Sequence, residues 1–404
     1  MYNENVAQRA AVRASLPLPA RLLHSLFERI ATGNLELRFA GGQVCRIRRS
    51  ATPAAQLHIR RPYALLARAL LRGPVGFAES HIAGDWESPD LAALLRLLAQ
   101  NQQAIARVAR TAPGLWLDRL RHRARANSRR GSRRNIRAHY DLSNDFYRLW
   151  LDPTMTYSSA LFRDPRTSSF HQLPAAQERK YRRMLELTGA RTGDHLLEIG
   201  CGWGAFACAA ASEDIRVTGI TLSPAQLDYA TSRIEQAGLQ DRATLRLQDY
   251  RDVTGQYDGI VSIEMLEAVG ENYWSVYFDT LRRSLRPGGR AALQVIVIDA
   301  AREARYRRQP DFIQMHIFPG GMLPTRARLQ ALARAAGLEW VEDQAVGSHY
   351  ARTCALWDQR VEQVEDRIRD LGFDDAFLRR WHYYLNYCQV GFELGMIDVL
   401  QLAL

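Results

Sequence analysis

The sequence predicts an α/β protein whose main domain is built on a parallel β-sheet with helices on both faces. Three observations lead to this fold class. From about residue 179, strand-like apolar runs alternate with helical stretches, which is the pattern of a parallel sheet. A glycine-rich turn, residues 200–204, joins the first of these strands to a helix. Residues 1–118 lack this alternation and mix helix and strand signals, which predicts a separate, smaller domain.

The composition is that of a globular chain with enough residues for two domains: 404 residues, of which 47% are hydrophobic. No apolar run reaches membrane-spanning length, and no apolar signal segment is visible near residue 1, so we expect a cytoplasmic protein. The five cysteines lack metal-ligand spacing, which predicts reduced thiols and no metal. The net charge of +11 indicates a polyanionic partner, either nucleic acid or an anionic lipid surface.

The first domain is predicted to begin with a β-hairpin and to continue as helices. Residues 34–49 alternate polar and apolar side chains around Gly41 and Gly42, which is typical of a hairpin. Residues 62–101 read as helices interrupted by glycines. Residues 119–137 then hold nine arginines and hardly an apolar side chain. We interpret this run as an Arg-rich linker or basic surface segment, which makes residues 138–404 the second domain.

Five strands are predicted in the second domain, at residues 195–200, 215–222, 243–249, 258–263 and 290–298. Helices fill the gaps, for example from Pro224 to Ala237. Residues 285–290 form the turn into the fifth strand. Residues 358–404 read mostly as helix.

The glycine turn is the strongest local sign of a ligand. It reads E-x-G-x-G-x-G from Glu198 to Gly204. Ligands of open α/β sheets bind beyond the carboxyl ends of the strands, and glycine lets the backbone approach them closely. A dinucleotide site needs an acidic residue at the end of the second strand, and residues 221–226 contain none. Asp249, after the third strand, could accept from an adenine amino group. The pattern therefore favours S-adenosylmethionine over NAD, although a tight turn alone would also use these glycines.

Five motifs, in order along the chain, strongly resemble the cyclopropane-fatty-acid synthase family. They are HYDLSNDFYRLWLDPTMTYSSALF (139–162), SIEMLEAVG (262–270), HIFPGGMLPT (316–325), HYARTCALW (349–357) and YCQVGFELGMIDVLQLAL (387–404). The first domain resembles the family's lipid-binding domain only through GFAESHIAGDWESPDL (76–91). The resemblance implies a Rossmann-like class I methyltransferase fold with a mostly parallel seven-stranded sheet, plus a smaller N-terminal α+β lipid-binding domain.

The resemblance also implies a reaction. The double bond of an unsaturated phospholipid acyl chain attacks the methyl group of S-adenosylmethionine, a proton leaves the carbocation, and a cyclopropane ring closes. An alkene is a weak nucleophile, so the site has to be dry and apolar. The implied partners are unsaturated phospholipid acyl chains and an anionic membrane surface, with the enzyme peripheral to the inner face of the membrane. A homodimer is suggested, and nucleic acid is not a partner.

In this family the general base resembles a bound bicarbonate ion. Carried over by position, the catalytic residues are Ser159, Glu267, Gln294, Ile296 and Tyr350, with Cys388 lining the pocket. Glu267 is expected to accept a hydrogen bond from bicarbonate, and Tyr350 to donate to its oxygens. Ser159 stands where some members have cysteine, and Gln294 where some have histidine. These departures leave open a related product, a methyl-branched or methylene-bearing chain.

The resemblance also implies cofactor-binding residues, which are expected at the ends of the first three strands and in one preceding loop. They are Tyr157, Ser158, Glu198, Gly200, Cys201, Gly202, Trp203, Gly204, Thr221, Leu222, Ser223, Gln226, Asp249, Tyr250 and Arg251. Two alternatives from other classes remain. A nucleic-acid methyltransferase would use the basic charge, but no base-flipping motif is visible. A non-catalytic lipid-binding protein would not need Glu267 and the glycines.

Overall fold

The computed structural model describes residues 16–50, 54–109 and 142–404. It forms two compact units. The first lies within Met1–Arg121 and also includes Gln309–Met315 and Gly372–Val390. The second comprises the other parts of the chain, within His122–Arg308, His316–Leu371 and Gly391–Leu404. Two late segments that the sequence placed with residues 138–404 thus belong to the first unit. The Arg-rich segment 119–137 lies outside the described residues.

The first unit contains a four-stranded sheet with the order β2-β1-β3-β4. Its strands are β1 Asn34–Phe39, β2 Val44–Arg48, β3 Ala54–Ile59 and β4 Trp86–Glu87. Strands β1 and β2 are antiparallel, which confirms the predicted hairpin, and β1 and β3 are parallel. The helices before residue 110 are α1 Leu18–Phe27, α2 Pro62–Ile82, α3 Leu91–Gln100 and α4 Gln102–Ala109. Helix α2 is kinked at Gly73, whose φ is +57°.

The second unit contains a seven-stranded sheet with the order β10-β11-β9-β8-β5-β6-β7. Its strands are β5 His195–Ile199, β6 Arg216–Thr221, β7 Ala243–Leu247, β8 Tyr257–Ile263, β9 Leu285–Ile298, β10 Glu342–Ala345 and β11 Ile397–Ala403. Strands β5 to β9 pair in parallel, and β11 is antiparallel to both of its neighbours. The five predicted strands are all present, and the mostly parallel α/β fold is confirmed.

Single helices separate β5 from β6, β6 from β7 and β8 from β9, as the sequence predicted, and the other helices after residue 142 precede β5 or lie between β9 and β11. In order along the chain, the helices after residue 142 are α5 Asn144–Trp150, α6 Leu173–Thr188, α7 Ala205–Ser212, α8 Pro224–Gln236, α9 Trp274–Ser284, α10 Ala300–Tyr306, α11 Phe312–His316, α12 Arg326–Ala335, α13 Gly347–Gln363, α14 Glu365–Asp370 and α15 Asp375–Glu393. Short 3-10 turns follow β7 and β8, at Tyr250–Asp252 and Leu266–Ala268.

Strand β11 is the main difference from the sequence-based expectation, which read residues 358–404 mostly as helix. A short apolar run such as residues 397–403 has no period that separates strand from helix. The neighbouring strands determine that this segment is a strand, because β11 lies between β9 and β10 and pairs with β9 along its whole length. This pairing sets Gln401 directly opposite Gln294.

The sheet of the second unit separates two apolar cores. Leu197 and Leu293 belong to one core, whereas their chain neighbours Leu196 and Ala292 belong to the other. Successive strand residues point to opposite faces, so both faces of the sheet are covered, as expected for a parallel sheet. The polar groups of the site are therefore confined to the carboxyl ends of the strands. In the described residues, no helix is both long and apolar enough to cross a membrane.

Candidate active site

A pocket opens at the carboxyl ends of β5, β6 and β8, where an α/β sheet ordinarily holds its ligand. It brings together twelve of the predicted cofactor-binding residues: Tyr157, Ser158, Glu198, Gly200, Cys201, Gly202, Trp203, Thr221, Leu222, Gln226, Tyr250 and Arg251. The other three, Gly204, Ser223 and Asp249, lie behind this lining and shape it.

The three glycines of the turn all have positive φ, but for different reasons. A Cβ on Gly204 would lie 2.9 Å from the Cβ of Ala230, so helix α7 could not pack against α8. A Cβ on Gly200 would lie 3.1 Å from the Cγ of Met265. A Cβ on Gly202 would meet nothing within 4 Å, because this residue faces the open pocket. Gly202 is thus the glycine that keeps space for a ligand.

Glu198 offers the pocket a buried carboxyl group that a bound cation would stabilise in its charged form. It is 4% exposed, and its Oε2 atom has no hydrogen-bond partner among the described residues. Burial raises the pKa of Glu198 to about 8, while the charge of Lys180 and the backbone N–H of Ala207 oppose the shift. A buried carboxylate needs a partner, and a cationic ligand supplies one. The open space at Gly202 and the free oxygen of Glu198 therefore fit S-adenosylmethionine, which carries a sulfonium and an ammonium group.

The ends of β6 and β7 are held by local hydrogen bonds. Ser223 caps helix α8 by accepting from the backbone N–H of Gln226. Asp249 is buried, and its two oxygens accept from Arg251, with Nε–Oδ1 and Nη2–Oδ2 distances of 2.8 and 2.6 Å. Arg251, which itself lines the pocket, thus contacts both oxygens of Asp249, and the expectation that Asp249 also accepts from a ligand stays a prediction.

A second polar cluster at the pocket is centred on Glu264, a residue that the sequence analysis did not select. Glu264 follows β8, and its carboxylate accepts three hydrogen bonds. The donors are the backbone N–H of Ser159 (2.8 Å), Nε2 of Gln294 (2.7 Å) and the hydroxyl of Tyr350 (2.7 Å). Glu264 has φ of +51°, a left-handed conformation that costs a residue with a side chain about 1–3 kcal/mol.

These contacts correct the expected bicarbonate site. Three of its predicted donors hold Glu264, and the fourth, the backbone N–H of Ile296, donates to Oε1 of Glu267. The predicted residues do converge, but on carboxylates of the chain itself. The residues present therefore do not fit a bicarbonate ion between them.

Gln294 is held in a single orientation. Its Oε1 accepts from Nε2 of Gln401 on strand β11 at 2.8 Å, which leaves its own Nε2 to donate to Glu264 and to the carbonyl oxygen of Ser159. Tyr350 stays protonated and able to donate, because burial raises its pKa well above the usual value.

Glu267 lies in the 3-10 turn Leu266–Ala268 and is close to Glu264. Burial, and then the charge of Glu264, raise the pKa of Glu267 to about 8. Its Oε2 atom has no hydrogen-bond partner in the described part of the chain. Of the two carboxyl groups, Glu264 has three donors to stabilise a charge, whereas Glu267 has one backbone donor from another residue. Glu264 is therefore the member of the pair whose charged form is better stabilised.

Lys180, the only lysine in the chain, lies behind the loop that carries Ser158 and Ser159. It is fully buried on helix α6, and its Nζ donates to Oγ of Ser158 and to Oε1 of Gln177, both at 2.7 Å. Burial lowers the pKa of Lys180 to about 7, against the opposing charges of Glu264, Asp152 and Glu198. Lys180 thus orders the loop that supplies one donor to Glu264, and in its protonated form it adds positive charge among the acids.

Aromatic rings pack beside the polar cluster. Tyr157 lines the pocket and lies 5.4 Å from Trp357, centroid to centroid, and Trp357 lies 6.0 Å from Tyr350. Such faces can stabilise a developing positive charge. Cys388 is half-buried on helix α15, within the first unit, so its expected place in the pocket stays a prediction.

Two signals in the sequence could have pointed to the missed residues. Glu264 stands at a strand end, three positions before Glu267 in the same motif. Lys180 is a lone lysine in a chain that otherwise uses arginine, which marks a position where the smaller ammonium group is needed.

Comparisons with known proteins show which family the chain is related to. The mycolic acid cyclopropane synthetase family model matches residues 127–402. A tuberculostearic acid methyltransferase of Mycobacterium tuberculosis is 40% identical over 407 residues, covering 99% of this chain and 90% of that protein. The cyclopropane-fatty-acyl-phospholipid synthase of Escherichia coli is 32% identical over 360 residues, covering 86% and 87%.

A solved structure shows the same relationship in three dimensions. The crystal structure of a mycolic acid cyclopropane synthase complexed with SAH and CTAB superposes with a TM-score of 0.62 at 32% identity. The superposition covers 67% of this chain and 97% of the chain in that crystal structure. The resemblance inferred from the motifs is thereby confirmed: the chain belongs to the mycolic acid cyclopropane synthetase family and is an S-adenosylmethionine-dependent methyltransferase of that kind.

Proposed function

We propose that this enzyme transfers the methyl carbon of S-adenosylmethionine to the double bond of an unsaturated lipid acyl chain. The observation that carries the proposal is one pocket that joins two sites. The glycine turn with the unpartnered carboxylate of Glu198 forms one side, and Glu264 with its three donors forms another. The first suits a cationic methyl donor, and the second suits the removal of a proton.

The chain's own residues have three tasks in this reaction. S-adenosylmethionine supplies an electrophilic methyl group when it is bound. Glu198 and the turn around Gly202 hold the donor, and the buried setting excludes water that would quench a carbocation. Tyr157, which lines the pocket, presents an aromatic face to positive charge. A carboxylate accepts the proton that leaves.

The balance of electrons limits the direct products. Attack by the alkene forms one C–C bond, breaks the S–CH₃ bond and leaves a cation on the neighbouring carbon. Loss of a proton from the new methyl group then closes a cyclopropane ring. If a hydride first shifts between the two carbons, the same loss gives a methylene branch. A saturated methyl branch would need a further two-electron reductant.

We favour the methylene branch, with the cyclopropane ring as the second candidate. The relative that matches 99% of this chain is named a tuberculostearic acid methyltransferase, and it is more similar than the relative named a cyclopropane synthase. The Glu264 cluster also departs from the expected ion site. The ring is supported by the family itself and by the solved cyclopropane synthase. Bicarbonate has no part in this proposal, because its expected donors are occupied.

We also propose that the first unit contacts an anionic phospholipid surface. Tyr63 and Leu70, 70% and 50% exposed, are seven residues apart on α2 and so lie on one face, with Leu71 (54%) beside them. Leu18 on helix α1 is 68% exposed as well. Exposed apolar side chains in a chain of net charge +11 suit a surface that combines acyl chains with negative head groups.

The test is lipid mass spectrometry after expression in a bacterial host that lacks such an activity. We expect a gain of about 14 mass units in unsaturated acyl chains, the mass of one CH₂ group added per turnover. Proton NMR then distinguishes ring protons from methylene protons. Unchanged lipids, together with no transfer of label from S-adenosylmethionine to unsaturated phospholipid vesicles, would refute the proposal. Transfer of label to RNA or DNA instead would favour the nucleic-acid alternative.

A further inference from the structure

The geometry around Glu264 suggests how the proton is removed. Its carboxylate is a planar group with one negative charge and two oxygens, and in these respects it resembles bicarbonate. It lies at the point where the backbone N–H of Ser159, the amide of Gln294 and the hydroxyl of Tyr350 converge. These groups come from a loop, a strand and a helix. A site expected to bind an ion from solution is thus filled by a side chain.

The backbone at Glu264 indicates that the side chain is held there for a reason. The φ of +51° is sterically unfavourable for any residue with a Cβ. The backbone N–H of Glu264 donates to the carbonyl oxygen of Gln294 at 2.8 Å, which continues the pairing of β8 with β9. Glycine would adopt this conformation without strain, so the sequence tolerates an unfavourable residue at a position that projects into the pocket.

The hydrogen bonds leave one acceptor position free. A carboxylate has about four lone-pair positions. Oε1 accepts from Ser159 and Gln294, and Oε2 accepts from Tyr350 alone. One lone pair of Oε2 is therefore available on a residue that lines the pocket. Burial raises the pKa of Glu264, against the opposing effect of its three donors and Lys180, so its carboxylate is a stronger base than an exposed glutamate.

We propose that the Glu264 carboxylate is the general base of this enzyme and takes the place of bicarbonate. This inference rests on the proposed function. After the methyl carbon has bonded to the alkene, Oε2 of Glu264 accepts a proton from that carbon. The electron pair of the broken C–H bond closes the ring, or forms the double bond of the methylene branch. Glu264 becomes a neutral carboxylic acid and returns its proton to solvent after product release.

The experiment compares turnover with and without bicarbonate. The full chain is assayed with labelled S-adenosylmethionine and vesicles of unsaturated phosphatidylglycerol, in buffer stripped of carbon dioxide or supplied with bicarbonate. We expect the same wild-type turnover in both buffers. Glu264→Gln should lose at least about 100-fold and should not recover, because an amide keeps the volume but is no base. Glu271→Gln, a neighbouring carboxylate paired with Arg307, is the matched control and should retain activity.

Glu264→Gly gives the sharpest variant, because it removes the base, relieves the backbone and opens a carboxylate-sized space among three donors. We expect it to lose at least about 100-fold without bicarbonate and to regain at least about tenfold with it. Carbon-13 NMR should show labelled bicarbonate binding to this variant and not to the wild type, whether or not turnover is restored. Calorimetry with S-adenosylhomocysteine checks that each variant keeps a folded site.

Each outcome decides between the two proposals. Wild-type turnover that falls tenfold on removal of bicarbonate, or a Glu264→Gln variant that retains a third of its turnover, would overturn the role of Glu264 but leave methyl transfer intact. Binding of labelled bicarbonate to the wild type would also overturn it. No transfer by the wild type in either buffer would contradict the proposed function and this inference with it.

Discussion

Substitutions of two glycines in the same turn should separate cofactor binding from stability. At Gly202, alanine would place its Cβ in open pocket space, so the protein would lose only the cost of a left-handed alanine, about 1–2 kcal/mol. At Gly204, alanine has the same backbone cost and also brings its Cβ within 2.9 Å of the Cβ of Ala230. Overpacking of this kind adds about 1–3 kcal/mol, so Gly204→Ala should lose about 2–5 kcal/mol.

Gly204→Ala should therefore be the less stable of the two variants, and Gly202→Ala should be the one that binds the cofactor more weakly. In thermal unfolding without ligand, Gly202→Ala should lower Tm by about 2–8 °C, and Gly204→Ala by roughly twice as much or more. In calorimetric titration with S-adenosylhomocysteine, Gly202→Ala should weaken binding at least about tenfold, or about 1.4 kcal/mol. Alanine is chosen over valine because a β-branched residue would add backbone strain at Gly202 and blur the comparison.

The reasoning would be refuted by a Gly202→Ala variant that binds S-adenosylhomocysteine with unchanged affinity, because the ligand would then lie elsewhere. It would equally be refuted if Gly204→Ala were as stable as the wild type, since the contact with Ala230 would then not limit that position.

Three further predictions concern the base, the buried lysine and the membrane. Tyr350→Phe removes one donor to Glu264, so kcat should fall about 10- to 100-fold. The acidic limb of the pH profile of kcat should also move to higher pH, because the carboxylate loses a group that favours its charge. An acidic limb at the wild-type pH would contradict this prediction. The pKa of Lys180 is lowered to about 7, so between roughly pH 7.5 and 9.5 the unfolded chain binds a proton that the folded chain does not. The contribution of Lys180 to the free energy of unfolding should therefore rise with pH, by up to about 1.4 kcal/mol per pH unit. Urea unfolding of the wild type and Lys180→Met should therefore diverge with pH in that window, and parallel curves would count against it. The double variant Leu70→Glu, Leu71→Glu should sediment less with anionic vesicles than the wild type. Leu371→Glu, which changes an exposed leucine of the second unit, should sediment like the wild type. Equal binding by the wild type and both variants would show that α2 does not contact the vesicles.

The sequence predicted those parts of the fold that depend on short, local patterns of apolar residues and turn signals. Strands β5 to β9 were found because each is an apolar run bounded by a turn or helix signal, and the hairpin was found through Gly41 and Gly42. Strand β11 was missed because residues 397–403 have no local feature that separates strand from helix, and only the pairing with β9 decides it. Local pattern is sufficient where the chain's neighbours in space are also its neighbours in sequence.

The candidate site shows the same limit more sharply. The glycine turn was predicted because one short segment forms it. Glu264 was missed because its donors are 105, 30 and 86 positions away, at Ser159, Gln294 and Tyr350. The family resemblance named these three donors and implied a bicarbonate ion between them, whereas the structure shows Glu264 accepting from all three. No pattern in a single sequence states that a neighbouring side chain already accepts from them.

The left-handed backbone of Glu264 has a consequence for the genetics of this site. Glutamate and glycine codons differ by one nucleotide, GAA to GGA or GAG to GGG, and glycine is the residue that this backbone accommodates most easily. A single point mutation can therefore replace the Glu264 side chain, the proposed general base, by an open space among its three hydrogen-bond donors, without disturbing β8. In a bicarbonate-rich cell such a mutant would remain open to selection, so the two ways of removing the proton are adjacent in sequence space.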